Sequence, residues 1–309
     1  MDCLNKKIGE DYALYNADTC ELIREFPDNS MHMEIYSPPF SSLYTYSNSD
    51  RDLGNSKTDE QFFEHFHFIV EELYRILMPG RIMAVHCMNL PTSKERDGFI
   101  GIKDFRGDLI REFQKVGFIY HAEICIWKDP VTAMQRTKAL GLLHKQIKKD
   151  SCMSRAGIPD YIVVMRKPGE NPERVTHTNE TYPVSEWQNV ASPIWEYDHS
   201  PVWWDIKQTD TLNVRAAREG RDERHICPLQ LPVIERLVKL YTNEGDTIFT
   251  PFMGIGSEVY QAVKMGRRGI GIELKESYYN CAVDNMDNLD MERKQITLFD
   301  IMPAPVDEE

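Results

Sequence analysis

The 309-residue sequence predicts an α/β fold: a doubly wound, mostly parallel sheet with helices on both faces, plus a long irregular insertion. Three observations carry that expectation. Strand-length apolar runs alternate with stretches of helical spacing, first over residues 31–127 and again over 231–290, and such alternation builds parallel sheets. A turn with two glycines leaves a strand and opens a helix in "DTIFTPFMGIGSEVYQ". Residues 168–222, rich in Pro, Trp, Asn, Thr and Asp, show no sustained periodicity. A compact domain rarely holds so long an irregular stretch without a functional reason.

From the N-terminus, residues 11–18 alternate weakly, "CELIREFP" has helical spacing, and "MHMEIYS" reads as a buried strand. "SPPF" ends that strand, and residues 41–58 form a polar Gly/Ser/Asn-rich loop dotted with Tyr44 and Tyr46. "DEQFFEHFHFIVEELYRIL" is a helix capped at Asp59. The strand "PGRIMAVHC", the helix "DFRGDLIREFQKVGF" ending at Gly117 and the strand "YHAEICIW" follow. From Lys128 to about Pro159 the chain is basic and Met-rich, and "DYIVVMRKPG" returns to the sheet as a strand. After the irregular stretch come the helix "LPVIERLVKLYT", the strand "DTIFTPF", the helix "SEVYQAVKMG", the strand "RGIGIEL" and a last helix "ESYYNCAVDNMDNL". The expected organisation is a first core half over 1–127 and an insertion over 128–221, with one strand near 160–167. A second core half covers 222–290, and an acidic tail 291–309.

Composition limits the function. The net charge of −13 argues against nonspecific, charge-driven nucleic-acid binding. Between Lys128 and Arg174, however, ten Lys/Arg stand against five Asp/Glu. No apolar run reaches the length of a membrane span, and "MDCLNKKIGEDYAL" has no signal-peptide core; a soluble, cytoplasmic protein is expected. The seven cysteines are scattered without a C-x-x-C pair, which fits free thiols. His65 and His67, two apart in a helical pattern, point to different faces, and no metal site is expected.

Two motifs carry chemistry. In "FMGIGS" Gly254 and Gly256 let backbone N–H groups approach a ligand at a helix N-terminus, and Glu273, ending the next strand, is placed for a ribose hydroxyl pair. Val259 occupies the place of the third glycine of the dinucleotide fingerprint. In "SPPF" the prolines make a rigid corner at a strand end, where open α/β sheets bind ligands. Ser37 and the Pro38 carbonyl offer acceptors and Phe40 a ring, a set suited to a planar amino-bearing base.

Together these motifs resemble the β class, the circularly permuted members, of the S-adenosylmethionine-dependent DNA amino-methyltransferases, whose signatures are [DNS]-P-P-[YFW] and F-x-G-x-G. "SPPF" preceding "FMGIG" by more than two hundred residues matches that class, which places its catalytic half first and its cofactor half last. The resemblance covers roughly residues 11–127 and 222–290 and leaves 128–221 as the target-recognition region. It implies a Rossmann-like methyltransferase sheet, S-adenosylmethionine as cofactor and double-stranded DNA as partner. A homodimer and a cognate restriction enzyme are further partners that it allows. Catalysis falls to Ser37, Pro38, Pro39 and Phe40. Cofactor binding falls to Asp18 near the adenine, to His225, Cys227 and Pro228 over the methionine end, and to Phe252, Gly254, Gly256, Ser257 and Glu273. Thr250 departs from the pattern, since an acid often stands there.

The resemblance implies methyl transfer to an exocyclic amino nitrogen of a flipped base, with Ser37 Oγ and the Pro38 carbonyl accepting the amino hydrogens and Phe40 stacking. A serine before the prolines is commoner among N4-cytosine enzymes, and adenine N6 stays open beside it. On this reading the basic segment faces phosphate, with Arg136, Lys145, Lys148 and Lys149 as DNA contacts. Trp187, Trp195, Trp203 and Trp204 read as anchors of irregular chain or as a dimer surface. The competing readings are a protein-glutamine or RNA amino-methyltransferase, and an inactive DNA-binding regulator of the same fold.

Overall fold

A computed structural model of the chain describes residues 3–40, 56, 58–130, 144–153, 157–185, 201–213 and 228–294. In chain order the elements are β1 (Asn5–Ile8), β2 (Tyr12–Asn16), α1 (Thr19–Leu22), β3 (Met31–Tyr36), α2 (Asp59–Ile76), β4 (Leu77–Met88), β5 (Leu90–Pro91), α3 (Lys94–Asp97), β6 (Ile102–Lys103) and α4 (Phe105–Val116). They continue with β7 (Ile119–Ile126), α5 (His144–Lys149), β8 (Asp160–Arg166), β9 (Val202–Trp203), α6 (Leu231–Tyr241), β10 (Thr247–Thr250), α7 (Ser257–Lys264), β11 (Arg268–Glu273) and α8 (Glu276–Lys294). Among the described residues no helix is long and apolar enough to cross a membrane.

Nine strands share one sheet in the order β1-β2-β11-β10-β3-β4-β8-β7-β9. The five strands from β2 to β4 pair in parallel, as the strand–helix alternation predicts. The exceptions are antiparallel. β1 folds back on β2 as a hairpin with Ile8 opposite Ala13; the short, polar "NKKI" carries no strand signal of its own. β8 lies antiparallel between β4 and β7, with Ala84 opposite Val164 and Ile124 opposite Ile162. It follows β7 in the chain and pairs with both β7 and β4 in the opposite direction.

Both sheet faces are buried. Phe62, Phe66, Leu73, Phe105 and Phe113 from α2 and α4 close one face over Met83, Val85, Val163 and Met165. On the other, α6 places Val233, Ile234 and Leu237 over Met33, Ile35, Ala84 and Ile248. There α7 and α8 cover Tyr12 and Leu14 with Val259, Val263, Tyr279 and Met286. Each such side chain contributes on the order of 1.5–3 kcal/mol when removed from water.

Local signals differ from expectation at four points. The α2 cap is Thr58, whose hydroxyl accepts from Gln61 N–H at 3.2 Å, so Asp59 sits in the first turn and favours the positive end of the helix dipole. "CELIREFP" yields only α1 and a 3₁₀ turn over Ile23–Glu25. The Pro79–Gly80 turn lies inside β4 as a bulge, where Gly80 has φ +73° and the pairing register with β3 shifts. The irregular stretch also sends β9 back to the sheet edge, parallel to β7, because Trp203 is large enough to be buried against Ile126, Ile162 and Ile206.

Candidate active site

The parallel pairing of β10 with β3, Ile248 opposite Met33 and Phe249 opposite Glu34, places the glycine turn and the diproline corner side by side at one edge of the sheet. From β3 the chain proceeds through β4 on one side, and from β10 through β11 on the other. Such a reversal of winding leaves a crevice at the carboxyl ends of the strands.

On the β10 side, the chain enters α7 through Gly254 at φ +56° and Gly256 at φ +87°, a conformation that L-residues adopt at a cost. A Cβ on Gly254 would meet nothing within 4 Å, so the turn is open there, whereas one on Gly256 would lie 3.1 Å from Ala282 Cβ. Glu273, at the end of β11, accepts Gly254 N–H at 2.8 Å and Lys275 N–H at 2.9 Å, which holds its carboxylate at the mouth of the turn. Ser257 Oγ and Thr250 Oγ1 are buried there without a hydrogen-bond partner among the described residues.

The end of β2 is stitched to the same place. Asn16 Nδ2 donates to the Glu273 carbonyl at 2.8 Å, and Thr19 Oγ1 donates to the Pro251 carbonyl at 2.6 Å. Asp18 caps α1 by accepting Cys20 N–H at 2.9 Å, so Asp18, Gly254, Gly256, Ser257 and Glu273 gather at three adjacent strand ends. Phe252 packs edge-on against Tyr36, ring centres 5.8 Å apart, and bridges this group to β3. Pro228 is half-buried just before α6. His225 and Cys227 lie outside the described residues.

On the β3 side, Ser37 is half-buried, Pro38 buried, and Pro39 and Phe40 half-buried. Phe40 meets His86 and Phe105 edge-on, with ring centres 6.3 and 6.2 Å apart. Ser37 Oγ lies 2.9 Å from His86 Nδ1. His86 Nε2 is 3.1 Å from Asp160 Oδ2, and Lys128 Nζ approaches the same oxygen to 2.5 Å. Burial would raise the Asp160 carboxyl, but the Lys128 ammonium and then His86 more than offset it and hold its pKa below the usual range.

His86 and Asp160 escaped the sequence reading. The available signal was a polar residue inside an apolar strand, in "IMAVHC", and an acid opening another, in "DYIVVM".

The basic segment divides. Lys148 and Lys149 are exposed on α5. Lys145 lies on the same helix with its side chain outside the described set, as is Arg136 altogether. Other charges of that segment serve the fold: Lys128 pairs with Asp160, and Lys167 Nζ donates to Asn29 Oδ1 at 2.8 Å and the Leu77 carbonyl at 2.7 Å. Trp203 is a buried anchor, while Trp204 is exposed beside Trp127, ring centres 6.5 Å apart. Tyr44, Tyr46, Trp187 and Trp195 lie outside the described residues.

At the opposite ends of β3 and β10, His32, Glu173 and Asp246 bring ligand-type atoms within 4.8 Å of one another. Thr247 N–H donates to His32 Nδ1 at 3.0 Å, so the ring proton sits on Nε2, which faces Glu173 Oε2 at 3.0 Å. Asp246 pairs with Arg81 at 2.9 Å. The imidazole has no lone pair left for a metal, and the cluster reads as a polar clasp.

The family model described as DNA methylase, N6_N4_Mtase, matches residues 31–284. The chain is 24% identical over 278 residues to the type II methyltransferase M.MjaI of Methanocaldococcus jannaschii, covering 82% of this chain and 84% of that protein. The Thermus thermophilus protein TTHA0409, complexed with S-adenosyl-L-methionine, shares the fold with a TM-score of 0.61 and 22% identity, over 89% of this chain and 94% of that one. The cytosine-N4-specific PvuII DNA methyltransferase shares it with a TM-score of 0.61 and 14% identity, over 89% and 86%.

Proposed function

The chain belongs to the N6/N4 DNA methylase family, and from that premise we propose that it methylates the exocyclic amino nitrogen of one base within a specific DNA sequence. The observation that carries this reading is the β10–β3 pairing, which sets the glycine turn beside the diproline corner. S-adenosylmethionine is the cofactor, and when bound it supplies an electrophilic methyl group on a sulfonium. The residues at the turn fit it: a left-handed glycine with an open Cβ side, a carboxylate at the end of β11 and two buried hydroxyls without partners among the described residues. Glu273 and Asp18 would hold its nucleoside, the Gly254–Ser257 turn its middle, and Pro228, with His225 and Cys227, its methionine end.

The remaining work belongs to the corner. An exocyclic amino nitrogen is a poor nucleophile because its lone pair is delocalised into the ring. Ser37 Oγ and the Pro38 carbonyl, held by two prolines of fixed φ, accept its hydrogens and stabilise the charge that develops on it. Phe40 stacks on the extruded base. Fixing nitrogen and methyl carbon together supplies the proximity advantage. Ser37 tilts the choice of base toward N4 of cytosine, with N6 of adenine the alternative. The core halves 1–127 and 222–290 would carry this chemistry, and 128–221, with Lys148 and Lys149, the recognition of DNA.

Modification-sensitive sequencing of DNA from cells expressing the chain tests the reading. N4-methylcytosine or N6-methyladenine at a recurring sequence supports it and names the base; unmodified DNA overturns it.

A further inference from the structure

Period-two alternation along four neighbouring strands places Ser37, His86, Asp160 and Lys128 in one row. Ile35, Ala84, Ile162 and Ile126 all face the α6 side of the sheet. Ser37, His86, Asp160 and Lys128 are each two residues along from one of these, at the ends of β3, β4, β8 and β7, and share that face. The pairing register brings them together: Tyr36 is opposite Val85, and Asp160 is opposite both Met88 and Ile126.

With the imidazole neutral, the contacts along the row have one consistent proton assignment. An ionised carboxylate only accepts, so His86 presents its Nε2–H to Asp160. The approach is close, though bent away from the line of an ideal hydrogen bond. Neutral His86 then has a bare Nδ1, which accepts the Ser37 hydroxyl proton over 2.9 Å. With its one hydrogen committed, Ser37 Oγ turns only lone pairs outward. The wiring is the reverse of a hydrolytic triad, in which the serine meets Nε2 and the carboxylate meets Nδ1.

We infer that His86, anchored by Asp160 and Lys128, is the positioning residue that makes Ser37 a pure acceptor toward the target amino group and drains the reaction's proton through it. This rests on the amino-methylation reading above. As the nitrogen lone pair becomes the new bond to the methyl carbon, that carbon's bond to the sulfonium sulfur breaks and leaves its electron pair on sulfur; one N–H bond of the amino group breaks and its electron pair stays on nitrogen. The proton joins Ser37 Oγ, the former Ser37 proton joins His86 Nδ1, and the positive charge passes from the base to an imidazolium beside the Asp160 carboxylate. Solvent then takes the proton from His86. Protonating His86 beforehand reverses the hydrogen bond, aims a proton at the amino group and stops the reaction. Among the described residues, the charged groups at the ring are Asp160 from β8, which faces Nε2, and Lys128 from the end of β7, which meets the same Asp160 oxygen.

Two measurements test this on the full chain. Nitrogen-15 NMR of the imidazoles, assigned with His86→Asn, reads the tautomer without any turnover: a protonated Nε2 and bare Nδ1 are expected, and a proton on Nδ1 overturns the inference. Single-turnover methylation of a duplex oligonucleotide, followed against pH, reads the relay. The wild type should lose activity on the acid side with the titration of one group. His86→Asn, whose amide oxygen can still accept from Ser37, should lose ~10²-fold and that acid limb, while cofactor affinity is unchanged. An unchanged rate and profile in His86→Asn overturns the inference. A wild type that binds cofactor but methylates no DNA would sink the functional reading instead, and the tautomer would still decide the wiring.

Discussion

Gly269 of β11 lies so close beneath Val259 of α7 that a Cβ on the glycine would fall 2.7 Å from Val259 Cγ1 and 3.1 Å from Val259 Cα. Dinucleotide-binding turns use their third glycine to bring helix and strand into close contact. Here the helix carries valine at that place and the strand supplies the glycine. The missing third glycine is therefore not a defect of the turn.

Gly269→Ala should destabilise the protein by roughly 1–3 kcal/mol, the usual cost of overpacking, because backbone as well as a methyl group stands in the way. Denaturant unfolding of the two proteins checks this. A variant as stable as the wild type would show that helix and strand separate easily.

Phe40→Ala should reduce methylation strongly while leaving cofactor affinity largely intact, since the Phe40 ring packs on Phe105 and His86. Loss of base stacking costs about 1–3 kcal/mol, or roughly 5- to 150-fold in capture of the base. Titration calorimetry with the cofactor and a methylation assay separate the two effects. Pro38→Ala should behave alike, and normal turnover in both would remove the corner from catalysis.

Glu258, buried at the start of α7, has its carboxyl pushed up by burial from an ordinary 4.5 to about 8. Between those values the folded state holds a proton that the unfolded state has lost, so stability declines as pH rises from about 4.5 to about 8. Glu34, buried on β3 with both carboxylate oxygens unpartnered among the described residues, is raised by burial and adds to the same slope. Glu258→Gln should remove its share. Its melting temperature should exceed the wild type's by a margin that grows with pH across that window and then levels. A margin independent of pH would mean that Glu258 is ionised in the fold.

Replacing both Lys148 and Lys149 with alanine should weaken DNA binding alike for all sequences and flatten the dependence of log K on log salt by about 1.8, at ~0.9 per phosphate contact. Fluorescence anisotropy at several salt concentrations checks this. An unchanged slope would place the phosphate contacts elsewhere.

Much of the site was legible in the sequence because it is local. A diproline after an apolar run and two glycines between a strand and a helix each dictate their own backbone, and Gly254 and Gly256 take the left-handed values that such a turn needs. The alternation of strands and helices likewise settled the fold class, since burial on both faces is a property of periodicity. What sequence periodicity left undecided is adjacency. β3 and β10, more than two hundred residues apart, become neighbours only when the sheet is assembled. The antiparallel entry of β8 brings Asp160 to His86. "IMAVHC" by itself shows only a polar residue in a strand. Whether its imidazole faces a carboxylate, a hydroxyl or solvent depends on which strands lie beside it and in what register, and long-range pairing alone sets that.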